Sequence, residues 1–339
     1  MIEPGHRLRE LFTRYPGNPI LQAADWPYPV NTVFNPGAVK LEDGETLLLV
    51  RVEDLRGVSH LTVARSRDGL TGWEVDPIPS MYPEVERHPE EKWGIEDPRI
   101  TWLDEIGEFA ITYTAFSANG PLVALATTRD FHSFTHRGPI APPDDKDAAL
   151  FPRRFKGRWA LIHRPAPAFS VAKANIWLSF STDLVHWGDH TVLMQAREGS
   201  FWDAGKIGLS PPPILTTAGW LIIYHGVRRT ASGAIYRLGL ALLDLEDPAV
   251  VLHRGEEWVF GPAAPYEQLG DVPNVVFPCG TVLDETSGEL RMYYGAADSC
   301  VAVATANIAD LVEWLTTKRA APEARARLAV SPQLGLASS

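Results

Sequence analysis

The sequence predicts an all-β fold, a five-bladed β-propeller with a short C-terminal helical extension. Three observations favour this fold. A unit of apolar strand, polar turn and apolar strand occurs five times, a small-residue strand follows each copy, and helical periodicity is scarce before residue 308. The units are about 50–60 residues long, and repetition at that period is typical of propellers and other repeat architectures.

Each repeat opens with a β-hairpin. Val, Ile, Leu, Tyr and Trp alternate with polar residues around turns such as Asp-Gly, Lys-Gly, Ala-Gly or Ser-Gly, which is the pattern of paired antiparallel strands. The five hairpins span residues 34–51, 96–115, 146–165, 206–227 and 275–298. The strands that follow them span residues 60–66, 122–128, 175–181, 236–243 and 300–306. Most of the 28 Pro and 27 Gly residues fall at strand ends, as a turn-rich fold requires.

A second motif follows three of these strands. It reads SRDGLTGW (66–73), TRDFHSF (128–134) and STDLVHW (181–187). We expect its aspartate to close a turn with its own backbone and its aromatic residue to pack between sheets. The motif resembles the Asp box of sialidases, and its predicted role is structural.

The repeats run without a compositional break, which favours one domain over two. The predicted propeller spans residues 31–315, after an N-terminal extension of residues 1–30 and before a C-terminal tail of residues 316–339. Residues 307–329 carry the one helical pattern. The terminal segments lie outside the repeats, so assembly into a homo-oligomer stays open.

Composition and charge exclude several classes of protein. Hydrophobic residues make up 45% of the 339 residues and charged residues 22%, which is an ordinary globular composition. The net charge of −11 disfavours nucleic-acid binding, which needs a basic face. No signal peptide and no apolar stretch of about 20 residues is visible, so we expect no membrane partner and a cytoplasmic protein. Two cysteines, Cys279 and Cys300, are predicted to be free buried thiols.

Polar residues recur at equivalent positions of the repeats, where the inner strands of a propeller approach one mouth of its channel. At the hairpin starts lie Asn35, Glu96, Asp97, Lys146, Asp147 and Lys206, and at the hairpin ends lie Arg51, His163, Arg164, His225 and Asp298. Such residues are rarely buried without partners. Cations dominate this set although the protein is acidic, which indicates a site for a small anion.

Asp97 stands out among the acidic candidates, in the segment WGIEDPRI. A carboxyl group in a partly apolar pocket can stay protonated and act as a general acid. An Asp-Pro turn is the alternative role for Asp97, and an ion pair with Glu53 or Asp54 is the alternative role for Arg51. The histidines lack metal-ligand spacing and the glycines form no nucleotide-binding motif, so we expect no metal and no organic cofactor.

Several linked motifs occur along the chain. They are RVEDLRGVSHLTVARSRDG (51–69), GIEDPRIT (94–101), KDAALFP (146–152), LIHRP (161–165), WDAGKIG (202–208), GWLIIYHGV (219–227), YRLGLALLDLEDP (236–248) and YYGAAD (293–298). Together they resemble the motifs of glycoside hydrolase family 130, the β-mannoside phosphorylases and related mannosidases. The family fold is a five-bladed propeller, in agreement with the repeat count.

The resemblance also implies roles for individual residues. Asp97 is implied as the single catalytic general acid. The inorganic phosphate site is implied to consist of Arg164, Lys206, His225, Tyr236 and Lys146. The contacts to the mannosyl unit are implied to come from Asn35, Arg51 and Asp298, with Glu96, Arg56 and Asp147 as further candidates. Manno-oligosaccharides and inorganic phosphate as co-substrate are the implied partners.

The function that we expect is inverting phosphorolysis of β-1,4- or β-1,2-linked mannosides, with release of α-D-mannose 1-phosphate. An inverting hydrolase needs a second carboxylate to activate water, whereas phosphate needs only cations that hold it. Two alternatives stay open, an inverting β-mannosidase on the same fold and a non-catalytic carbohydrate-binding propeller. Other five-bladed glycosidases carry an Asn-Asp-Pro motif near the first strand, and the corresponding residues 35–37 here are Asn-Pro-Gly.

Overall fold

Five antiparallel β-sheets make up the protein in a computed structural model that describes residues 10–165, 173–231 and 233–317. In blades 1 to 4 the strands are ordered by sequence from the inside outwards. The innermost strands of successive blades contact one another from blade 5 through blades 1, 2, 3 and 4. This arrangement confirms the predicted five-bladed propeller.

The strands of the first four blades match the predicted repeats. Blade 1 consists of Thr32–Lys40, Thr46–Glu53, Ser59–Ser66 and Glu74–Val75. Blade 2 consists of Ile95–Leu103, Glu108–Ser117, Gly120–Thr128 and Thr135–Pro139. Blade 3 consists of Asp145–Leu150, Trp159–Pro165, Ile176–Ser181 and Trp187–Met194. Blade 4 consists of Lys206–Leu209, Ile214–Thr216, Gly219–Thr230, Gly233–Leu243 and Val251–Arg254.

Blade 5 is built from both ends of the described chain. Its inner strands are Val276–Leu283, Glu289–Ala296 and Cys300–Asn307. Its outer edge consists of Thr13–Arg14 and Leu21–Gln22, which both pair with Cys300–Asn307. Residues 13–22 therefore belong to the propeller, although the sequence placed them in an N-terminal extension. Strands of two residues carry no alternation from which they could be predicted.

Helices are few and short in the described residues. The α-helices are Pro265–Gln268 and Ile308–Thr317, and the 3-10 helices are Ala23–Asp25 and Pro89–Glu91. The helix Ile308–Thr317 lies within the predicted helical segment 307–329, whose remainder is outside the described residues. No helix in the described ranges is long and apolar enough to cross a membrane.

The hydrophobic core is divided among the five interfaces between neighbouring blades. One buried residue from each side illustrates each interface: Leu49 and Ile111, Val123 and Leu161, Ile162 and Ile222, Leu238 and Tyr294, and Val303 and Leu48. As predicted, the aromatic residue of each Asp-containing turn packs against one of these interfaces, and these residues are Trp73, Phe134 and Trp187. As predicted, Asp68, Asp130 and Asp183 each accept two backbone N–H bonds within their own turn.

Candidate active site

Three innermost strands carry the same local distortion. In blades 1, 2 and 3 the register with the second strand shifts at Asn35, Asp97 and Asp147, and each of these residues has a positive φ, of 46°, 51° and 56°. Asn and Asp tolerate this conformation better than other non-glycine residues. A β-bulge re-aims the side chain at the bulged position. The three bulges place an amide and two carboxylates around one cavity.

This cavity has a volume of about 130 Å³. Its lining consists of Asn35, Arg51, Asp97, Lys146, Asp147, Arg164, Lys206, His225, Tyr236, Val272, Val275, Phe277 and Asp298. Ten of the twelve residues predicted for the site are in this set, and Glu96 and Arg56 are not. The structure thus brings together side chains from all five blades.

Asp97 is held by a network of charged and polar groups. Asn35 Nδ2 donates to Asp97 Oδ1 at 2.9 Å, and Arg51 Nη1 donates to the same oxygen at 3.0 Å. Arg51 also donates to Glu96 Oε1 at 3.0 Å and to Ser59 Oγ at 3.0 Å. Glu96 therefore positions Arg51 from outside the cavity lining. Arg51 pairs with these two acids, and not with Glu53 or Asp54 as the alternative proposed.

The charge state of Asp97 differs from the expectation of a protonated carboxyl group. Burial raises its pKa, but the charges of Arg51, Lys146 and Arg99 and the hydrogen bond from Asn35 outweigh burial, so that the pKa lies below its ordinary value. Only 4% of Asp97 is exposed. In the unliganded cavity Asp97 is therefore an ionised carboxylate surrounded by cations.

Arg99 is a buried cation that the sequence did not single out. It donates to Asp97 O at 2.9 Å, Ser210 O at 2.8 Å and Leu209 O at 3.3 Å, and it lies 3.5 Å from Asp147 Oδ1. It thereby connects the inner strands of blades 2, 3 and 4 behind the cavity. Its signal in the sequence is an arginine within an apolar strand, two residues after Asp97.

Asp147 is the second buried carboxylate of the cavity. Arg164 Nε donates to its Oδ2 at 2.6 Å, and His225 Nε2 lies 3.3 Å from the same oxygen without hydrogen-bond geometry. Burial raises the pKa of Asp147, but Arg164, His225 and Arg99 hold it well below its ordinary value. Burial lowers the pKa of His225 to about 4, so this imidazole is neutral near pH 7.

Lys146 and Lys206 are two cations of the cavity that have no counter-ion among the described residues. Within the described ranges, neither the Lys146 nor the Lys206 ammonium group has a hydrogen-bond or ion-pair partner, and Lys206 Nζ lies 5.3 Å from the centre of the Tyr236 ring. Burial and the charges of Arg164 and Lys146 together lower the pKa of Lys206 to about 8, although the charge of Asp147 opposes this change. Two half-buried cations beside each other indicate a site that an anion completes.

Asp298, on blade 5, is the third acidic side chain that lines the cavity. It has a positive φ of 49°. Burial and the negative charges of Asp97 and Glu96 together raise its pKa to about 6, although the charge of Arg51 opposes this rise. Asp298 is the cavity carboxyl group that takes up a proton most readily near neutral pH.

Two predicted residues lie away from the cavity. Arg56 is exposed and donates to Asp54 Oδ2 at 2.7 Å and to Tyr82 Oη at 2.8 Å, so this turn residue is not brought to the site. His163 is buried against Asp145 at 2.6 Å and Ser179 at 2.7 Å. Since neighbouring residues on a strand face opposite ways, Arg164 faces the cavity and His163 does not.

The fold and the site define a class of protein, a five-bladed propeller with a polar axial cavity that holds ionised carboxylates and unpaired cations. The family described as beta-1,4-mannooligosaccharide phosphorylase matches residues 14–317. The chain belongs to this family, glycoside hydrolase family 130.

Individual relatives cover most of the chain. It is 32% identical over 312 residues to the beta-1,4-mannooligosaccharide phosphorylase of Ruminococcus albus, with 91% of each protein covered. It is 37% identical over 261 residues to a beta-1,2-mannobiose phosphorylase of Listeria innocua, with 77% of this chain and 70% of that protein covered. The structure of the β-1,2-mannobiose phosphorylase from Listeria innocua with β-1,2-mannobiose matches with a TM-score of 0.81 and 32% identity, covering 90% of this chain and 99% of that one.

Proposed function

We propose that the protein is an inverting β-mannoside phosphorylase that uses inorganic phosphate and releases α-D-mannose 1-phosphate. The observation that carries this proposal is one cavity in which the buried carboxylate Asp97 is accompanied by the unpaired ammonium groups of Lys146 and Lys206. The names of the relatives support it, because they are phosphorylases of β-mannosides.

The roles that we propose are those that the family resemblance implies, and the contacts of Glu96 and Asp147 with arginines support a positioning role for these two carboxylates. Arg164, Lys206, His225, Tyr236 and Lys146 hold phosphate. Asn35, Arg51 and Asp298 contact the mannosyl unit, Glu96 positions Arg51, and Asp147 positions Arg164. A guanidinium group matches the oxygens of phosphate with a fixed fork of donors, whereas an ammonium group supplies a compact charge. The neutral His225 donates or accepts one hydrogen bond without adding charge.

The reaction is a single displacement at the anomeric carbon. A phosphate oxygen forms a bond to C1 while the bond from C1 to the glycosidic oxygen breaks. The electron pair stays on the glycosidic oxygen, which takes up the proton of Asp97 directly or through a sugar hydroxyl group. Attack from the face opposite to the leaving group inverts the configuration, so a β-mannoside gives the α-phosphate.

Phosphate binding also prepares Asp97 for its role. Lys146 is one of the cations that lower the pKa of Asp97 in the unliganded cavity. A phosphate dianion beside Lys146 compensates that charge and adds a negative charge near Asp97, and both effects favour the protonated carboxyl group. The general acid is then formed only when the nucleophile is in place.

The test is phosphorolysis of β-1,4- and β-1,2-mannobiose with and without inorganic phosphate. We expect α-D-mannose 1-phosphate, identified with its anomeric configuration by ³¹P and ¹H NMR, and turnover that requires phosphate. Release of free mannose at the same rate in phosphate-free buffer would instead identify the β-mannosidase alternative. Sugar binding without turnover of either linkage would identify a binding propeller.

The variant Asp97→Asn tests the assigned acid in the same assay. We expect a loss of about 10²–10⁴-fold in kcat, because the glycosidic oxygen no longer receives a proton. The loss should be much smaller for a β-mannoside with a good leaving group, which departs without protonation. Asp130→Asn is the matched control, since Asp130 serves a turn outside the cavity. Equal losses in the two variants would contradict the assignment.

A further inference from the structure

The second hairpin of blade 4 extends beyond the inner strand of that blade. Lys206, the first residue of the inner strand, pairs with Val227. Beyond this point the hairpin continues through Arg228, Arg229 and Thr230, whose strand partners in the described part of the chain are on the returning strand. Because Lys206 lines the cavity, the projecting part of the hairpin lies at the cavity mouth.

Strand register decides which of the two arginines faces the cavity. Directly opposed residues of an antiparallel pair share a face, and side chains alternate along each strand. Tyr236 is opposite Val227 and lines the cavity, and so does His225, two residues before Val227. Arg229, two residues after Val227, is therefore on the same face. Arg228 is on the other face.

The charges of the two arginines act on different neighbours, in agreement with this register. The positive charge of Arg229 contributes to the lowered pKa of Lys206. Burial lowers the pKa of Arg237, and the charge of Arg228 adds to this effect; the Arg237 guanidinium group lies 4.9 Å from the centre of the Trp258 ring, on the opposite face. Both arginines are exposed, and within the described part of the chain neither makes an ion pair.

Phosphate must reach a buried site in a protein whose net charge is −11. Inside the cavity, Arg51 is paired with Glu96 and Asp97, and Arg164 is paired with Asp147. The charge of Lys206 is labile, because its pKa is about 8. Arg229 adds a permanent charge at the mouth, since a guanidinium group stays protonated at all relevant pH values.

We propose that Arg229 is the entrance residue that draws the phosphoryl anion into the cavity towards Lys206. This inference rests on the phosphorylase function proposed above. It applies to inorganic phosphate in the degradative direction and to mannose 1-phosphate in the synthetic direction, because both are anions that enter the same site. The neutral mannoside gains nothing from Arg229.

The experiment compares Arg229→Gln with Arg228→Gln, which removes the same charge one residue away on the opposite face. The quantity measured is kcat/KM for phosphate at low and high ionic strength, with kcat/KM for the mannoside as the second readout. For Arg229→Gln we expect a loss of about tenfold for phosphate at low ionic strength that shrinks as salt screens the charge. The kcat/KM for phosphate should fall much less in Arg228→Gln and should stay near the original value in Arg229→Lys. The kcat/KM for the mannoside should stay unchanged in all three variants.

Calorimetric titration with inorganic phosphate in the absence of sugar gives an independent measurement, and thermal unfolding verifies that the variants are folded. Equal phosphate affinities and equal kcat/KM values for Arg229→Gln and Arg228→Gln overturn the role of Arg229. Turnover of the unmodified enzyme without phosphate overturns the proposed function instead, and the calorimetric comparison still decides whether Arg229 attracts the anion.

Discussion

Within one cavity, the surroundings of Lys206 favour its neutral form, whereas the surroundings of Asp97 favour its ionised form. Burial makes the ammonium group of Lys206 easier to deprotonate, with a pKa of about 8. Lys146, one of the cations that lower the pKa of Lys206, also acts on Asp97, and together with Arg51 and Arg99 it keeps Asp97 ionised in spite of burial. A bound anion reverses both effects, because it stabilises the ammonium group and destabilises the carboxylate. Phosphate binding and protonation are therefore coupled.

This coupling predicts the pH dependence of phosphate affinity. Above pH 8 the free enzyme loses the Lys206 proton that the bound state requires, so the Kd for phosphate should rise by up to about tenfold per pH unit. The contribution of Lys206 to fold stability should instead increase with pH in this window. Between pH 8 and the ordinary lysine pKa of 10.5, the unfolded state binds more protons at this residue than the folded state does. Loss of affinity in this window therefore does not report unfolding.

The measurement is calorimetric titration with phosphate between pH 7 and about pH 10. In Lys206→Arg the rise in Kd near pH 8 should disappear, because the guanidinium group stays charged. Lys156→Arg is the matched control, since Lys156 is exposed and pairs with Asp247. A Kd that rises equally in all three proteins would mean that another group titrates.

At the scale of strands and turns, the sequence predicted most strands but not the β-bulges within them. The strand pattern predicted the inner and middle strands of all blades, because short apolar runs bounded by turn residues are typical of strands that are buried on both faces of a sheet. It did not predict the bulges at Asn35, Asp97 and Asp147. These bulges depend on register between strands that only the folded sheet defines. For the same reason the repeat positions predicted which residues line the cavity, but they did not predict the hydrogen-bond and ion-pair partners of these residues.

The inner strands of blades 3 and 4 approach each other closely at Gly208, and a substitution at this position can test this contact. A Cβ atom at this position would overlap with Asp147 Oδ2 and would lie 2.6 Å from His225 Cε1. Gly208→Ala should therefore displace both side chains, raise the KM for phosphate more than that for the mannoside, and destabilise the fold by about 1–3 kcal/mol.

Denaturant unfolding and steady-state kinetics check this prediction. Gly188→Ala is the control, because a Cβ atom at Gly188 meets no atom within 4 Å and its backbone is not in the left-handed region. Similar effects of the two substitutions would show that the inner strands accommodate a methyl group without moving the phosphate site.

At the scale of the whole molecule, a propeller must join its last blade to its first. Here residues 13–14 and 21–22 complete blade 5, whose other strands come from residues 276–307. Phe12 and Leu21 are buried in the neighbouring cores. The sequence predicted the five units but not this closure, since pairing between chain segments almost 300 residues apart leaves no local periodicity.

Arg14 connects the closing strand to the buried carboxylate of Glu267. Its Nε and Nη2 donate to the two oxygens of Glu267 at 2.8 and 2.9 Å, and Nη2 also donates to Gly261 O at 2.6 Å. Arg14→Gln leaves Glu267 with the hydroxyl group of Tyr294 and two backbone donors but without a cation. Loss of one partner of a buried ion pair costs about 3–5 kcal/mol, so the free energy of unfolding should fall by that amount.

Urea unfolding of the full chain measures this change, and Arg129→Gln, which removes an exposed partner of Glu108, should leave the unfolding midpoint almost unchanged. If blade 5 closes the ring, Arg14→Gln should shift the single cooperative transition as a whole, since opening one blade exposes the cores on both of its sides. A separate early transition confined to blade 5 would mean that the remaining four blades hold together without closure. The cavity, which needs Asp298 from blade 5 beside Arg51 from blade 1, would then lose its activity before the protein unfolds.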